Sequence, residues 1–260
     1  MKSLRNRPEL ILSPVVFVVF IALWENLVNI LEVNEIILPT PSRIGEALLV
    51  QLQTSVFWSN LWVTSQEALL GFLFATIFAV IAGTFISQIR IVDKTFMPYL
   101  VGFQAIPKVA LAPIFLIWFG LGQTSKVVLA ATIAFFPILI NIIEGLKSAD
   151  NDQIRMLRVF GASRSQIFFK VQVPCALPFF FAGLDVGILL AILGAVVGEF
   201  LGSQAGLGNM VLNAQFNFET PTMFAILLVL SAMGIIAHII VKAFQRKFAF
   251  WGDTSNIIGN

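Results

Sequence analysis

The strongest constraint on this chain is a set of six apolar stretches, each long enough to cross a bilayer as a helix, which takes about 20 residues. The sequence is 58% hydrophobic and only 12% charged, whereas soluble globular proteins carry about 25% charged residues. Too little polar surface remains to cover a globule in water. The sequence therefore predicts an all-α integral membrane protein, a single domain over 1–260 with six transmembrane helices at 10–31, 66–87, 96–119, 126–145, 177–201 and 221–244.

The first apolar stretch follows three basic residues, Lys2, Arg5 and Arg7, which is also the arrangement of a cleaved signal peptide. The stretch is too long for the apolar region of a signal peptide, and no Ala-x-Ala-like cleavage site follows it. We therefore expect it to be retained as the first transmembrane span.

The basic residues between the spans predict the orientation of the chain, because cytoplasmic loops collect Lys and Arg. With the N-terminus inside, thirteen basic residues are cytoplasmic, Arg43 and Lys126 lie outside, and Lys108 lies within a span. The reverse orientation inverts this count, so we expect both termini in the cytoplasm. The thirteen residues are Lys2, Arg5, Arg7, Arg90, Lys94, Lys147, Arg155, Arg158, Arg164, Lys170, Lys242, Arg246 and Lys247.

The long cytoplasmic segment 146–176 carries signals for two short helices. Asp150 and Asp152 are acidic residues suited to a helix N-terminus. That helix runs to Phe160, where Gly161 offers a left-handed C-terminal stop.

A second helix is predicted to begin directly after this turn. Ser163 and Gln166 have the spacing of a capping box, in which each side chain bonds the backbone of the other residue. We expect the second helix to run toward Val173 and to end at Pro174.

The first of these helices presents Ile154, Leu157 and Phe160 at helical spacing. One interpretation is a helix pair that lies along the lipid headgroups with its arginines toward phosphate. The other is a docking element whose apolar edge fits a groove on a soluble partner. The residues alone leave both open.

Gly161, nine residues, Val171, one residue and then Val173-Pro174 resemble the EAA signature of ABC-importer permeases. The Gly and Pro are in register, and valines replace the usual Ile and Leu. The Glu-Ala-Ala triplet is absent, since Arg155-Met156-Leu157 occupies its place. The resemblance therefore implies the helix-turn-helix shape with altered contacts.

Further segments resemble permeases of the sulfonate, taurine and nitrate importer group over nearly the whole chain. Each is weakly specific, but together they follow the order found in that group. The segments are Leu38-Pro39-Thr40-Pro41, Ile106 through Pro113, Trp118 through Gly122, Gly198 through Leu201 with Gly206-Leu207-Gly208, and Arg246 through Trp251.

This resemblance implies a type I ABC importer permease fold with cytoplasmic coupling helices, in a bacterial inner membrane. It implies a second permease subunit, expected to form a homodimer, an extracytoplasmic solute-binding protein, and cytoplasmic ATPase subunits that bind ATP and Mg while this chain binds no cofactor. The implied solute is a small molecule or anion, such as a sulfonate, taurine or nitrate. The residues expected to couple to the ATPase are Ile154, Leu157, Arg158, Phe160, Gly161, Ala162, Ser163 and Arg164.

The third span contains a lysine between two prolines. A lysine at the centre of a span costs about 2.5–3.5 kcal/mol on insertion scales, so Lys108 should face protein or water. Pro107 and Pro113 remove backbone hydrogen bonds, which is tolerated where the segment is buried or lines a cavity. Segment 106–113 is therefore predicted to line the translocation pathway, with Lys108 facing an anionic solute; the alternative is a buried ion pair.

The fifth span has two different faces. Four glycines share one face, at a spacing that permits close helix packing: Gly183, Gly187, Gly194 and Gly198. Asp185 and Glu199 lie on the opposite side, and Glu199 is predicted to contribute to the outer mouth of the pathway. His238, which has no acidic neighbour in the sequence, is expected to be a packed, hydrogen-bonded side chain rather than a proton relay.

Three function classes compete. No phosphate-binding Gly-x-x-x-x-Gly-Lys-Ser/Thr motif occurs, so any ATPase must be a separate chain and this chain is not expected to be an enzyme. An ion-coupled secondary transporter or channel subunit is the main rival, although no internal repeat supports it. A membrane enzyme or metal site would need clustered ligands, whereas Cys175 and His238 are single. A net charge of +2 gives no reason to expect nucleic acid as a partner.

Overall fold

The structure, a computed structural model, describes residues 9–252; the basic residues Lys2, Arg5 and Arg7 lie outside this range. Between residues 9 and 252 the regular elements are all helical. Eleven α-helices are described: α1 Glu9–Ile30, α2 Pro41–Leu52, α3 Ser55–Gln88, α4 Arg90–Ala105, α5 Ala112–Phe119, α6 Gln123–Lys147, α7 Asn151–Val159, α8 Arg164–Ile167, α9 Val173–Phe200, α10 Leu207–Phe216 and α11 Thr220–Phe248.

Four of the predicted spans are single long helices. By length and composition, α3, α6, α11 and the continuous helix Arg164–Phe200 can each cross a membrane. The predicted first span corresponds to α1, within which Pro14–Ile30 is a shorter apolar helix. The described residues therefore confirm an all-helical membrane fold with four or five long apolar spans, and leave six as a prediction.

The third predicted span is not one straight helix. Helices Ile91–Ala105 and Lys108–Phe119 meet at an angle of 81°. At the break, Pro107 is extended with ψ of 90°, and a 3₁₀ turn over Lys108–Leu111 leads into α5. Because neither Pro107 nor Pro113 can donate a backbone hydrogen bond, the helix is weakest at these two residues. The sequence thus locates the break, but not a bend of this size.

The core of the bundle consists of α3, α6 and α9, which pack extensively on one another. Helix α11 adds to α9, α10 and α2, whereas α4, α5 and α1 lie at the periphery. The α3–α6–α9 contact is built largely from alanine and isoleucine, such as Ala79, Ala134 and Ala195, each of which is fully buried. Small side chains let these helices approach closely.

The predicted glycine face of the fifth span packs against α6. A Cβ at Gly194 would lie 2.7 Å from the Cα of Ala130, and one at Gly187 would lie 2.7 Å from the side chain of Ile138. Similar close approaches occur at Gly183 with Asn141 and at Gly198 with Lys126. The whole face therefore fixes the distance between α9 and α6.

Two helix boundaries differ from the sequence prediction. Helix α3 begins at Ser55, capped by Thr54, eleven residues before the predicted span at 66; its 34 residues exceed the roughly 20 that a bilayer crossing needs, and the prediction covered only such a window. Residues 202–220, between the fifth and sixth predicted spans, contain α10, even though three glycines precede or begin it. Tertiary contacts stabilise this helix, as described below.

Candidate functional site

The connection between α6 and α9 is a short helical hairpin that protrudes from one end of the bundle. The Asp150 side chain accepts a hydrogen bond from the amide of Asp152 at 2.9 Å and thereby caps α7. Gly161 has φ of +79°, and the amide of Ala162 bonds the carbonyl of Leu157 at 2.9 Å. The first helix predicted in segment 146–176 and its glycine stop are both confirmed.

The turn that follows α7 is held by the predicted capping box. The amide of Ser163 donates to Oε1 of Gln166 at 2.8 Å, and the amide of Gln166 donates to Oγ of Ser163 at 3.3 Å. These bonds satisfy amides at the start of α8 that have no partner within the helix. The hairpin is thus specified by its own residues.

The structure divides the residues predicted to couple to an ATPase into two sets. Three apolar side chains at the C-terminal end of α7 are exposed: Phe160 by 78%, Val159 by 86% and Met156 by 54%. Ile154 and Leu157 are instead half-buried. Because both sides of α7 carry apolar residues, the sequence pattern alone did not reveal which side faces outward. Met156, Val159 and Phe160 form what is called the hairpin tip below.

The remaining predicted coupling residues surround this tip. Arg158, Gly161, Ser163 and Arg164 are exposed, and Ala162 is half-buried. Arg158 and Arg164 line a groove between the hairpin and the end of α3 rather than standing at the tip.

The prediction that Pro174 ends the second helix is wrong. The helix runs without interruption from Arg164 to Phe200, across a π-helical turn at Phe168–Gln172. In that turn the amide of Val173 bonds the carbonyl of Phe168, five residues back. Such a wide turn accommodates a proline that cannot donate its own hydrogen bond. The hairpin is therefore joined directly to the fifth span.

The segment predicted to line a pathway lies at the α4–α5 break. Pro107 and Pro113 are exposed, and Lys108 is half-buried. The ammonium of Lys108 donates to the carbonyl of Gln104 at 3.0 Å and lies 4.8 Å from the centroid of the Phe136 ring. No carboxylate lies within 4.0 Å of it in the described part of the chain. The alternative of a buried ion pair for Lys108 is therefore wrong.

Glu199 does not face an open cavity, which corrects the prediction for this residue. Its side chain is fully buried at the end of α9, where the connection to α10 folds back over it. Oε1 accepts from the hydroxyl of Thr64 at 2.6 Å, and Oε2 accepts from the amide of Gly208 at 2.5 Å. The carboxylate therefore caps the N-terminus of α10 and ties it to α3.

Two further bonds complete this arrangement. The amide of Gly206 donates to Oδ1 of Asn60 at 2.5 Å, and the amide of Leu207 donates to Oγ1 of Thr64 at 2.8 Å. The successive amides of Gly206, Leu207 and Gly208 thus each donate to a side-chain oxygen, two of them on α3 and one on α9. Sequence analysis missed Asn60 and Thr64 because they lie more than 130 residues before their partners, and nothing in their local sequence marks them.

Two charged residues lie buried beside this cluster. The charge pattern predicts Lys126 outside, in a loop, but its side chain is 1% exposed and donates to the carbonyls of Leu121, Gly122 and Gly202. Glu67, one turn after Thr64 on α3, is 2% exposed. Lys126 therefore holds the α5–α6 and α9–α10 connections together rather than contributing to an outer loop.

His238 is hydrogen-bonded, as predicted, and its partner is acidic. Nδ1 of His238 lies 2.6 Å from Oδ1 of Asp185, and Lys242 lies 3.7 Å from Oδ2 of the same carboxylate. These contacts link α9 to α11 within the bundle. The partner was not evident in the sequence because 53 residues separate the two side chains.

The described residues contain no group of three or more His, Cys, Asp or Glu side chains placed to hold a metal ion. Cys175 is half-buried and free, near the start of α9.

Comparison with known proteins gives a consistent assignment. Residues 75–250 match the family described as the binding-protein-dependent transport system inner membrane component. The chain is 36% identical to the riboflavin transport system permease protein RibX of Chloroflexus aurantiacus, over 92% of this chain and 89% of that protein. It is 32% identical to the formylaminopyrimidine transport permease protein ThiX of Halalkalibacterium halodurans, over 90% of this chain and 93% of that protein.

A solved structure shows the same fold. An inward-facing form of the methionine ABC transporter MetNI contains a chain that superposes with a TM-score of 0.64 at 19% identity, covering 72% of this chain and 93% of that chain. The family match extends over more than half of the sequence. The chain therefore belongs to the family of binding-protein-dependent transport system inner membrane components, the permease subunits of ABC importers.

Proposed function

We propose that this permease couples ATP hydrolysis by a separate cytoplasmic ATPase to solute movement, and that the α7 hairpin is the element on which the ATPase acts. The observation that supports this is the exposed hairpin tip, with Val159 86% and Phe160 78% exposed. Exposed apolar residues at the end of a fixed protrusion suit insertion into a groove on a partner protein. The permease itself is not an enzyme, as its family shows.

The connections of the hairpin explain how movement at the tip would reach the bundle. On one side it continues into the helix Arg164–Phe200, which is about 55 Å long at 1.5 Å per residue. On the other side three residues separate it from α6. Since α6 and α9 are the most extensively packed pair in the bundle, displacement of the hairpin would shift both together.

The same assignment orients the protein in the inner membrane. In the described range, the hairpin end of the bundle also carries the basic C-termini of α6 and α11, whereas the end bearing α2 and α10 carries Arg43. Cytoplasmic segments are enriched in Lys and Arg. The hairpin is therefore cytoplasmic in our proposal, as are both termini. An external binding protein would meet the α2–α10 end, and a second copy of the chain would complete the pathway.

The pathway in this proposal includes the α4–α5 break, with Pro107, Lys108 and Pro113. Backbone that departs from helical geometry within a membrane is tolerated where it is shielded by protein or lines a water-filled cavity. Lys108 has no carboxylate partner among the described residues, so its ammonium is available to a passing solute. Glu199 is left out of this pathway because its carboxylate is buried and hydrogen-bonded.

The substrate class follows from the relatives rather than from the geometry. The two relatives above are named for riboflavin and formylaminopyrimidine, both nitrogen heteroaromatic compounds. A taurine permease of Escherichia coli is 26% identical. We therefore propose a small nitrogen heteroaromatic solute, and keep a sulfonate, taurine or nitrate as the second candidate.

The test starts from the affinity-tagged full chain, purified in mild detergent from the bacterium that encodes it. We expect an ABC ATPase to co-purify, and the reconstituted complex to take up riboflavin or a pyrimidine only with ATP and a binding protein. Taurine and nitrate are run in parallel to decide between the two substrate classes. Uptake by this chain alone, driven by a proton or sodium gradient, would overturn the proposal.

Changing Lys108 to Met tests the proposed pathway. We expect uptake of the identified substrate to fall about tenfold, because a hydrogen bond to a charged group contributes about 1.5–3 kcal/mol. The assay is initial-rate uptake, with complex yield measured alongside. Lys94→Met, which removes an exposed lysine of α4, is the matched control. Wild-type uptake by Lys108→Met at normal complex yield would remove Lys108 from the pathway.

A further inference from the structure

A polar groove lies where the hairpin meets the end of α3, and nothing described so far uses it. Its volume is about 760 Å³. Five of its nine lining residues are polar or basic, namely Ser87, Gln88, Arg158, Arg164 and Gln172, and the others are apolar. No carboxylate lines it, so the two arginines give the groove a net positive charge.

Neither arginine has an acidic partner in the described range 9–252. Acidic side chains of α4 and α7 that do form ion pairs use other cations: Asp93 pairs with Lys147, and Asp152 pairs with Arg155 at 3.5 Å. Two guanidinium groups beside one cavity repel each other unless an anion lies between them. Their planar, multiply donating geometry suits the oxygens of a phosphate group.

The groove also offers neutral donors beside the arginines. Gln88 and Gln172 are joined by a hydrogen bond of 3.2 Å between their side-chain amides, which fixes both on the groove wall. Gln172 lies in the π-helical turn at Phe168–Gln172, so the wide turn places it opposite the end of α3. The hydroxyl of Ser87 donates to the carbonyl of Thr84 within α3, so the neutral donors of the groove are the two glutamine amides.

The depth of the groove indicates where the phosphate comes from. Ser87 and Gln88 are the last two residues of the long apolar helix α3, and Phe85, just before them, is 59% exposed, as expected for a side chain in contact with lipid. The groove therefore lies at the boundary between hydrocarbon and headgroups. Phospholipid phosphates are concentrated at this level, and basic residues there attract anionic lipids.

The groove and the hairpin tip lie on different sides of α7. At 100° per residue, Arg158 is about 40° from Ile154, whereas Val159 and Met156 are about 100° and 160° from Arg158. A partner protein bound to the tip would therefore leave the groove accessible from the membrane. We propose that the groove between α3 and the hairpin binds the phosphate of an anionic phospholipid headgroup through Arg158 and Arg164.

The direct test measures lipid binding to the full-length chain and needs neither the ATPase nor a transport substrate. The detergent-solubilised permease is titrated with phosphatidylglycerol or phosphatidylcholine, and adducts are counted by native mass spectrometry. We expect preferential retention of phosphatidylglycerol. Arg158→Gln and Arg164→Gln should each weaken it about fivefold, since a basic residue near an anionic surface contributes about 1 kcal/mol.

Matched variants make the result specific. Arg155→Gln removes an arginine from the same helix that does not line the groove, and should leave retention unchanged. Arg158→Lys keeps the charge but loses the planar guanidinium, so it should fall between wild type and Arg158→Gln. If one of the glutamine variants fails to fold, the other and the lysine variant carry the test.

Three outcomes would overturn the proposal. Equal retention of phosphatidylglycerol and phosphatidylcholine would show that headgroup charge is not recognised. Unchanged retention in both glutamine variants would place the lipid elsewhere. Full competition by soluble glycerol phosphate at matched concentration would show a site for free phosphate compounds instead of a lipid.

Discussion

Placing a lysine at Val159 or Phe160 will uncouple this permease from its ATPase while leaving the membrane bundle folded. Both side chains form the hairpin tip and contact little of their own chain. Because buried aromatic and aliphatic anchors dominate protein interfaces, each substitution should weaken ATPase binding by at least about 2 kcal/mol, roughly 30-fold. ATP-dependent uptake should fall to background.

The choice of lysine protects the hairpin itself. A cation near the C-terminus of α7 interacts favourably with the helix dipole, so α7 should remain helical. Asn151→Lys adds the same side chain to the exposed first residue of α7, about 140° round the helix from Met156, and should couple normally. The measurements are ATPase co-purification and ATP-driven uptake, with monodispersity in detergent as the folding control. Normal co-purification of both tip variants would contradict the assignment of the hairpin as the ATPase contact.

Changing Glu199 to Ala should cause the largest loss of stability of any single carboxylate replacement in the described residues. It leaves the amide of Gly208 without an acceptor in a buried site, and the hydroxyl of Thr64 keeps only its 3.2 Å bond to the carbonyl of Asn60. An unsatisfied buried group costs about 1–3 kcal/mol, so Tm in detergent should fall clearly. Glu199→Gln keeps one acceptor and should fall less. Glu144→Ala, at an exposed position of α6, is the control and should leave Tm unchanged.

Gly206 provides an independent test of the same cluster. It has φ of +106°, a conformation that side chains rarely adopt, and a Cβ there would overlap the carboxylate of Glu199. Gly206→Ala should therefore displace α10 from α3 and lower Tm at least as much as Glu199→Ala. If both variants unfold at the wild-type temperature, the carboxylate does not hold the α9–α10 connection.

Features specified by neighbouring residues were predictable from the sequence. Asp150, Gly161 and the pair Ser163–Gln166 define the hairpin, because each acts within four residues of its partner. The long spans α3, α6, α9 and α11 follow from their apolar composition. In a membrane such segments form helices, because a helix satisfies its backbone polar groups with its own hydrogen bonds. The break at Pro107 follows from the missing backbone donors.

Features that depend on distant contacts were not predictable. Asn60 and Thr64 acquire their role only when α10 folds over Glu199, and Asp185 meets His238 only when α9 packs against α11. The prediction for Pro174 is wrong because the π-helical turn at Phe168–Gln172 accommodates the proline within a continuous helix. No local sequence motif indicates such a turn. The pathway residues remain a prediction, which the Lys108→Met variant tests.

The local capping of the hairpin has a consequence for how such importers diversify. Asp150, Gly161, Ser163 and Gln166 fix its shape without help from Val159 or Phe160. Substitutions at the tip should therefore leave the fold of the hairpin unchanged. If the tip is the ATPase contact, as proposed above, engineered pairing of this permease with a foreign ATPase should require changes only at those tip positions.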